Sequence, residues 1–483
     1  MNILSKFRRA SLDTKIKYAI LAVITLVVAV AYILTCLRRD YGCDGGYYLG
    51  CVNLIAEGYV PYRDFYCAYT PLSFYMMLPV RLLVSGQSRY AVFLGLQYVV
   101  SIVNALFVAL IVRKLTARRD MAYASALFYC MFFLYNEQTV IMLEGWSSLW
   151  GLAAMVLVLC GNDRKVWRML LAGALCAGAF LAKQYGLVFA GAAGVALLAE
   201  VDRPLAKRLA SSIWLVVGFV AVVAITVALF IMSGTDVKEL YSSVIGSGYG
   251  ASNHFHSYIS GVVILLKALP VLLFVPILLQ GRRSETAIVA ACLSGVALAT
   301  LQFFFAPFPH YNIFAAPFGI VLAVQMWTMV MNQNKSRYAK MAYVILVAIA
   351  VGFPMRRLAK VDVNYMCENP RAECQAITSA LRQTKQRYGL ETAFADWSAL
   401  PYYAEVPFHP ACMKKYGYSF GGGDTPQNIL ERLEATDCFL HSASDPNITP
   451  EVKNYFETHF TQVESGCTVG VYVRNEILED IEQ

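Results

Sequence analysis

Apolar residues dominate this chain in runs too long and too unbroken for the alternating patterns of a soluble domain. The first, "AILAVITLVVAVAYILTCL", has no charged residue between Lys17 and Arg38. A bilayer core takes about 20 such residues as one straight helix, and fewer where a short helix is enclosed in a bundle. The pattern predicts about eleven spans, at 16–37, 90–112, 121–135, 144–160, 168–182, 185–200, 209–232, 257–280, 286–305, 311–331 and 341–355. No small-residue cleavage site follows the first run, which is therefore read as a retained span. After Met355 the runs give way to mixed, charged segments. There "PRAECQAITSALRQTKQRYGL" predicts an amphipathic helix, "TAFADW" and "TDCFLH" short strands, and "FTQVESGCTVGVYVRN" a hairpin. The expected fold is a polytopic α-helical transmembrane domain over 1–355 and a small α/β domain over 356–483, long enough for its own core.

One run departs from the pattern. "TPLSFYMMLPVRLLV", residues 70–84, is apolar but short, and contains Pro79 and Arg81. Counted as a span, it would reverse the side of every later loop. It is read instead as a surface helix in the first outer loop, lying along the membrane with its apolar side in lipid.

Charge supplies the orientation. Only 15% of the 483 residues are charged and 58% are hydrophobic, with a mean hydropathy of +0.53. Lys6, Arg8, Arg9, Lys15 and Lys17 precede the first span. Alternate loops carry Arg113, Lys114, Arg118 and Arg119, then Arg164, Lys165 and Arg168, then Arg203, Lys207 and Arg208, then Arg282 and Arg283, then Lys335, Arg337 and Lys340. Such loops face the cytoplasm. The pairs Arg38–Arg39 and Arg356–Arg357 fall on the other side and run against the rule. The net charge of +8 is thus accounted for by topology, with no nucleic-acid partner. The expected placement is a multi-pass cell (inner) membrane protein with a cytoplasmic N-terminus and an extracytoplasmic C-terminal domain.

Polar residues gather on the outer face, where groups at membrane depth are costly unless paired or functional. Asp44 follows the first span, and Arg63 and Asp64 lie in the same loop. Glu137 and Glu144 flank the next outer turn, Lys183 sits between two short spans, His254 and His256 close a fourth loop, and His310 and Tyr311 a fifth. Each has a plainer reading: Asp44 as a helix cap, Arg63–Asp64 as a solvated turn, Lys183 as a snorkelling side chain, His310–Tyr311 as an interfacial anchor. Of the thirteen cysteines, eight lie outside the spans, at Cys43, Cys51, Cys67, Cys367, Cys374, Cys412, Cys438 and Cys467. An even number on an oxidising face permits disulfides, but spacing does not reveal the pairing. No Cys or His spacing marks a zinc site, and "NIT" at Asn447 is a glycosylation sequon.

The first loop, "DGGYYLGCVNLIAEGYVPYRDFYCAYTPLSFY", resembles that of the GT-C glycosyltransferases, in the branch of protein O-mannosyltransferases and aminoarabinose transferases. The matching features are Asp44 at the exit of the first span, Tyr47–Tyr48, Gly58, the turn Pro61-Tyr62-Arg63-Asp64, and Pro71-Leu72 opening the surface helix. "MLEGWSSLWGL", "AKQYG" and "PFPHYNIFAAP" are weaker echoes. The resemblance implies transfer of a sugar from a polyprenyl-phosphate donor to an extracytoplasmic acceptor, with inversion. Asp44 would be the catalytic carboxylate, with Glu144 orienting the acceptor or supporting Asp44. Arg63, Arg81 and Lys183 would meet the donor phosphate, and Tyr47, Tyr62, Asp64, Gln184, His310 and Tyr311 would contact substrate. No cofactor is required; a divalent cation is compatible with the chemistry, but no visible ligand cluster calls for a metal.

Two positions depart from the family pattern. Gly45 follows Asp44 where relatives have an acidic pair, and Thr70 stands where the aminoarabinose branch has Lys. The rival readings are a transporter or flippase of a lipid-linked sugar, a non-catalytic scaffold or receptor, and a polymerase or ligase using a glycan-lipid donor. Transporters commonly carry internal repeats and polar groups at the midplane. Here no repeat is visible and the polar residues lie at one face.

Overall fold

The computed structural model describes residues 12–38, 43–85, 88–135, 141–161, 163–244, 254–280, 285–304, 308–332, 336–357, 371–395, 426–441, 449–464 and 470–482. Glu137, Arg282, Arg283, Asn447, Cys367, Cys412 and Cys467 lie outside them. The chain is a polytopic helical membrane protein. Its helices in order are α1 (Leu12–Arg38), α2 (Cys43–Ala56), α3 (Leu72–Leu83), α4 (Ser88–Thr116), α5 (Arg119–Tyr135), α6 (Glu144–Cys160), α7 (Val166–Ala182), α8 (Leu187–Leu198), α9 (Leu205–Met232), α10 (Val237–Val244), α11 (His254–Ala268), α12 (Thr286–Thr300), α13 (Asn312–Asn332) and α14 (Arg337–Arg357). Every expected apolar segment is helical. Among the described residues, five helices are long and apolar enough by themselves to cross a bilayer. The shorter α6, α7 and α8 are packed within the bundle, where Ala154, Ala172, Ala179 and Ala192 are wholly buried.

The segment expected as one span at 257–280 is not straight. It bends by 87° between α11 and a 3-10 stretch that begins at Pro270. Proline has no N–H to continue the helical ladder, and its ring clashes with the preceding turn. The 70–84 run forms α3, whose Ser73, Phe74, Met77 and Val80 face inward while Leu82 and Leu83 stay exposed.

Loop contacts agree with the alternation read from charge. Arg63 reaches the carbonyl of Ser233 after α9, and Thr70 and Ser73 reach carbonyls at the end of α7. These contacts bring the first loop and the ends of α7 and α9 to one end of the bundle. The basic loops after α6 and α8 meet each other elsewhere, through the Arg164–Glu200 ion pair.

Beyond α14, helix α15 (Arg371–Tyr388) precedes a four-stranded sheet. Its strands are β1 (Ala393–Ala395), β2 (Cys438–His441), β3 (Phe460–Glu464) and β4 (Gly470–Arg474), in the order β1-β2-β4-β3. β1 and β2 run parallel, and β4 is antiparallel to both its neighbours. The strands and the hairpin expected from the sequence are the ones formed. Helices α16 (Pro426–Glu434), α17 (Pro450–His459) and α18 (Asn475–Glu482) complete this part.

The bundle is drawn together by close backbone approach of α7 and α9. A Cβ on Gly173 would lie 2.0 Å from the Leu215 carbonyl oxygen, and one on Gly218 would lie 2.1 Å from that of Leu170. Small residues at such crossings let helices pack where lipid offers no hydrophobic drive between them. Gly218→Val is expected to lower stability by about 1–3 kcal/mol or more, read as a lower unfolding temperature in detergent. An unchanged temperature would mean that the two helices are not in this contact.

Candidate functional site

The site begins with two helices that stop short. α7 ends at Ala182, and Lys183 leaves it in an extended conformation (φ −158°, ψ 132°) before the turn Gln184–Gly186 and α8. The last carbonyls of α7 are satisfied from outside the helix. Thr70 Oγ1 donates to Phe180 O at 2.8 Å, Ser73 Oγ to Ala182 O at 2.8 Å, and Ser147 Oγ to Ala179 O at 2.7 Å. A cation at this C-terminus is favourably placed with respect to the helix dipole. Glu144 opens α6 after an irregular segment clamped by α4: Gln97 accepts the Met142 N–H at 2.8 Å, and Asn104 donates to Gly145 O at 2.8 Å.

These breaks turn Lys183 and Glu144 toward each other. Lys183 Nζ donates to Glu144 Oε1, with the side chains 1% and 0% exposed. His310 Nε2 lies 3.7 Å from the same oxygen, carried by the turn Pro309–Tyr311. Gln302 holds that turn by donating to Tyr311 O at 3.0 Å. Glu144 Oε2 is buried and has no hydrogen-bond partner among the described residues. Three rings surround the ammonium, with centroids at 5.2 Å (Tyr69), 5.2 Å (Tyr311) and 6.0 Å (Tyr185). An ammonium so placed gains from the negative faces of the rings.

The first loop packs against this cluster. Tyr69 touches both Tyr47 and Tyr48, at 6.0 and 5.4 Å between ring centroids. The Ala68 N–H donates to the Tyr47 hydroxyl at 3.0 Å, and Gln184 Nε2 donates to Ala68 O at 3.4 Å. Asp44 is half-buried in the first turn of α2. The next residue, Gly45, lies so close to Ile141 that an added Cβ would sit 3.4 Å from its Cβ. The Asp44 corner therefore stands beside the segment that delivers Glu144.

The other expected residues take different places. Arg63 forms a bidentate pair with Asp64 (2.8 Å for both bonds) and donates to Ser233 O at 2.6 Å. The guanidinium beside it holds the Asp64 carboxyl below the usual carboxylate range, helped by the Val60 N–H at 2.7 Å. Tyr62, in the left-handed region at φ 68°, donates its hydroxyl to Tyr69 O at 2.6 Å. Arg81 Nε donates to Asn53 Oδ1 at 2.8 Å. His254 and His256 are exposed. Tyr69, Tyr185 and the capping role of Thr70 did not emerge from the sequence reading. Their one signal is adjacency, Tyr69 beside Thr70-Pro71 and Tyr185 two residues from Lys183.

An apolar cavity of about 230 Å³ lies next to the α7 terminus. Thr70 and Pro71 line it with Phe180 and Leu181, Val227 and Phe230 of α9, and Leu240 and Val244 of α10.

No family model matches the chain, and no curated protein matches its sequence. Among solved structures, ArnT from Cupriavidus metallidurans bound to undecaprenyl phosphate matches with a TM-score of 0.61 and 15% identity, over 94% of this chain and 97% of that one. The same enzyme in the apo state matches at 0.58 and 16%, over 94% and 98%. At this identity the likeness is one of fold. The chain shares the fold of ArnT.

Breaking a buried ion pair on one side costs about 3–5 kcal/mol, because the remaining charge is left uncompensated. Glu144→Gln and Lys183→Met are each expected to destabilise the protein, and the double variant to regain much of the loss. Thermal unfolding of the three variants in detergent checks this. Strict additivity of the two single effects would show that the side chains are not paired.

Proposed function

We propose that this chain is an integral-membrane glycosyltransferase, a hexosyl- or pentosyltransferase. It moves a sugar from a polyprenyl-phosphate donor to a glycan, lipid or protein acceptor outside the cytoplasm. Asp44 takes the proton of the acceptor hydroxyl as its oxygen attacks the anomeric carbon. The bond from that carbon to the lipid phosphate breaks, and the electron pair leaves with the phosphate. In-line displacement inverts the anomeric centre. The phosphate is a good leaving group and needs no second acid, only a cation to meet the developing charge.

The observation that carries this reading is a convergence at one end of a GT-C fold. There the corner bearing Asp44, the buried Glu144–Lys183–His310 cluster and an apolar cavity lie side by side. The cavity suits isoprenoid units. ArnT, which shares the fold, has been captured with undecaprenyl phosphate, and that is the donor class we carry over. Arg63 supports a phosphate site above the cavity. It bonds to Ser233 just past Phe230, which lines the cavity, and its side chain remains 41% exposed. The free oxygen of Glu144 is placed to accept a hydroxyl of the sugar or the acceptor, with Lys183 holding the carboxylate in position. Arg81, tied to Asn53 on α2, serves the donor from the side of the surface helix.

Purified protein in detergent, given a panel of undecaprenyl-phosphate-linked pentoses and hexoses with cell-envelope extract as acceptor, should transfer label. A transporter would have nothing to do without a sealed bilayer. Asp44→Asn should cut the rate by roughly 10²–10⁴-fold while expression and unfolding temperature stay at the parent level. Near-parent transfer by this variant would remove Asp44 as the base. Arg63→Ala should weaken undecaprenyl phosphate binding by roughly tenfold or more, the loss of a charge-assisted hydrogen bond, and Val227→Trp should do so by filling the cavity. Native mass spectrometry reads both; unchanged binding in the two variants would place the lipid elsewhere.

A further inference from the structure

The end of the bundle away from the candidate site carries a patch of charge that the proposed reaction does not use. α7 and α9 run side by side in the same direction, so their N-termini lie together at this end. The loops before them meet there. Arg164 pairs with Glu200 and donates to Gly161 O at 2.9 Å, and Arg203 reaches Glu200 at 3.3 Å. Arg208 donates to Leu198 O at 2.6 Å, while Arg168 and Lys165 pair with Asp163 at 2.6 and 3.3 Å. Lys207 is exposed and has no ion pair among the described residues. These six cations stand against three carboxylates, Asp163, Glu200 and Asp202, which leaves three positive charges in excess.

Two features set this patch apart from a solvated basic face. Charge runs the wrong way at both helix starts. α7 begins after Lys165 and α9 after Pro204, each without a side-chain cap and without an acidic residue in its first turn. Lys165 and Arg168 stand at the one start, Lys207 and Arg208 at the other. The first N–H groups of a helix have no intrahelical acceptor, and cations there oppose the helix dipole. A bound anion resolves both conflicts. The patch also holds donors that the chain does not satisfy. The Nε atoms of Arg164, Arg168 and Arg208 are buried with no hydrogen-bond partner among the described residues, and the Arg164 side chain is only 9% exposed.

Depth identifies what carries the anion. Trp167 on α7 and Trp214 on α9 are exposed, and the close approaches of Gly173 to Leu215 and of Gly218 to Leu170 bring them to about one level. Tryptophans so placed mark the boundary between membrane and water. Lys207 precedes Trp214 by seven residues, so it lies on the same side of α9 and about 10 Å nearer to water. Past the tryptophans, Leu171 and Val217 continue an exposed apolar surface into the bilayer. Cations outermost, indoles next and aliphatic side chains below match the phosphate, glycerol and acyl chains of a phospholipid. We propose that the N-termini of α7 and α9 bind one anionic phospholipid, its phosphate held by Lys165, Lys207 and the first turn of α9. This site is separate from the transfer reaction and does not depend on it.

The purified full chain, titrated with phosphatidylglycerol and with phosphatidylcholine of the same acyl chains, should retain the first in preference by native mass spectrometry. Lys165→Gln/Lys207→Gln should weaken phosphatidylglycerol binding by about 25-fold, roughly fivefold for each cation removed. Phosphatidylcholine binding and the unfolding temperature should stay at the parent level, because both side chains are exposed. Equal retention of the two lipids, or a preference that survives the double substitution, overturns the site. Glycerol phosphate in excess should leave the lipid bound; displacement would make this a site for free phosphate instead. A second readout needs no change of charge. Phosphatidylglycerol with brominated chains should quench the parent's tryptophan fluorescence more than brominated phosphatidylcholine does. That excess should vanish in Trp167→Phe/Trp214→Phe, and its persistence would put the lipid elsewhere on the bundle.

Discussion

One end of this bundle is organised around one buried ion pair, Lys183 with Glu144. Neither charge is tolerable alone at that depth, and each occupies a place where a helix has been interrupted. The pair therefore requires that α7 end early, that α6 begin late, and that the two breaks lie level. Once they do, His310, Tyr69, Tyr185 and Tyr311 complete a shell that keeps water away while leaving one carboxylate oxygen uncommitted. A fixed anion with a free oxygen, backed by a fixed cation, is a preorganised polar element in a dry setting, where such groups act most strongly.

Ending a helix inside a bundle leaves carbonyls that must be satisfied. Here the first loop and α6 do so, through Thr70, Ser73 and Ser147. This gives a physical meaning to Thr70, which stands where the aminoarabinose branch of the resembling family has Lys. A hydroxyl can cap the Phe180 carbonyl at close range, whereas an ammonium on a long stem would have to pass the same buried spot. Arg63 likewise acts first as a fastening, joining the Pro61–Asp64 turn to the end of α9. The loop that resembles GT-C enzymes in sequence is thus also the part that locks this end of the bundle.

Much of the fold was legible because it rests on local patterns. Apolar runs marked the long helices of the bundle, though not the short polar helix α10, which the sequence reading left within a loop. One misreading of shape among the described residues, at 257–280, came from treating Pro270 as tolerable within a span. Of the site, Asp44, Glu144, Lys183, His310 and Tyr311 were named because charged and polar groups at an apolar boundary stand out. The aromatic partners were not, since tyrosines are numerous in this chain and any of them could face lipid, water or protein.

The sequence by itself determined the helical membrane class, the strands of the C-terminal part, and the concentration of polar chemistry on one face. Only the tertiary structure decided who meets whom. Helix and strand periods are set by neighbours a few residues apart, so they are written locally. The partnership of Lys183 with Glu144 and of Arg63 with Ser233 depends on the angular order of helices around the bundle and on where each one breaks, and no spacing along the chain encodes that.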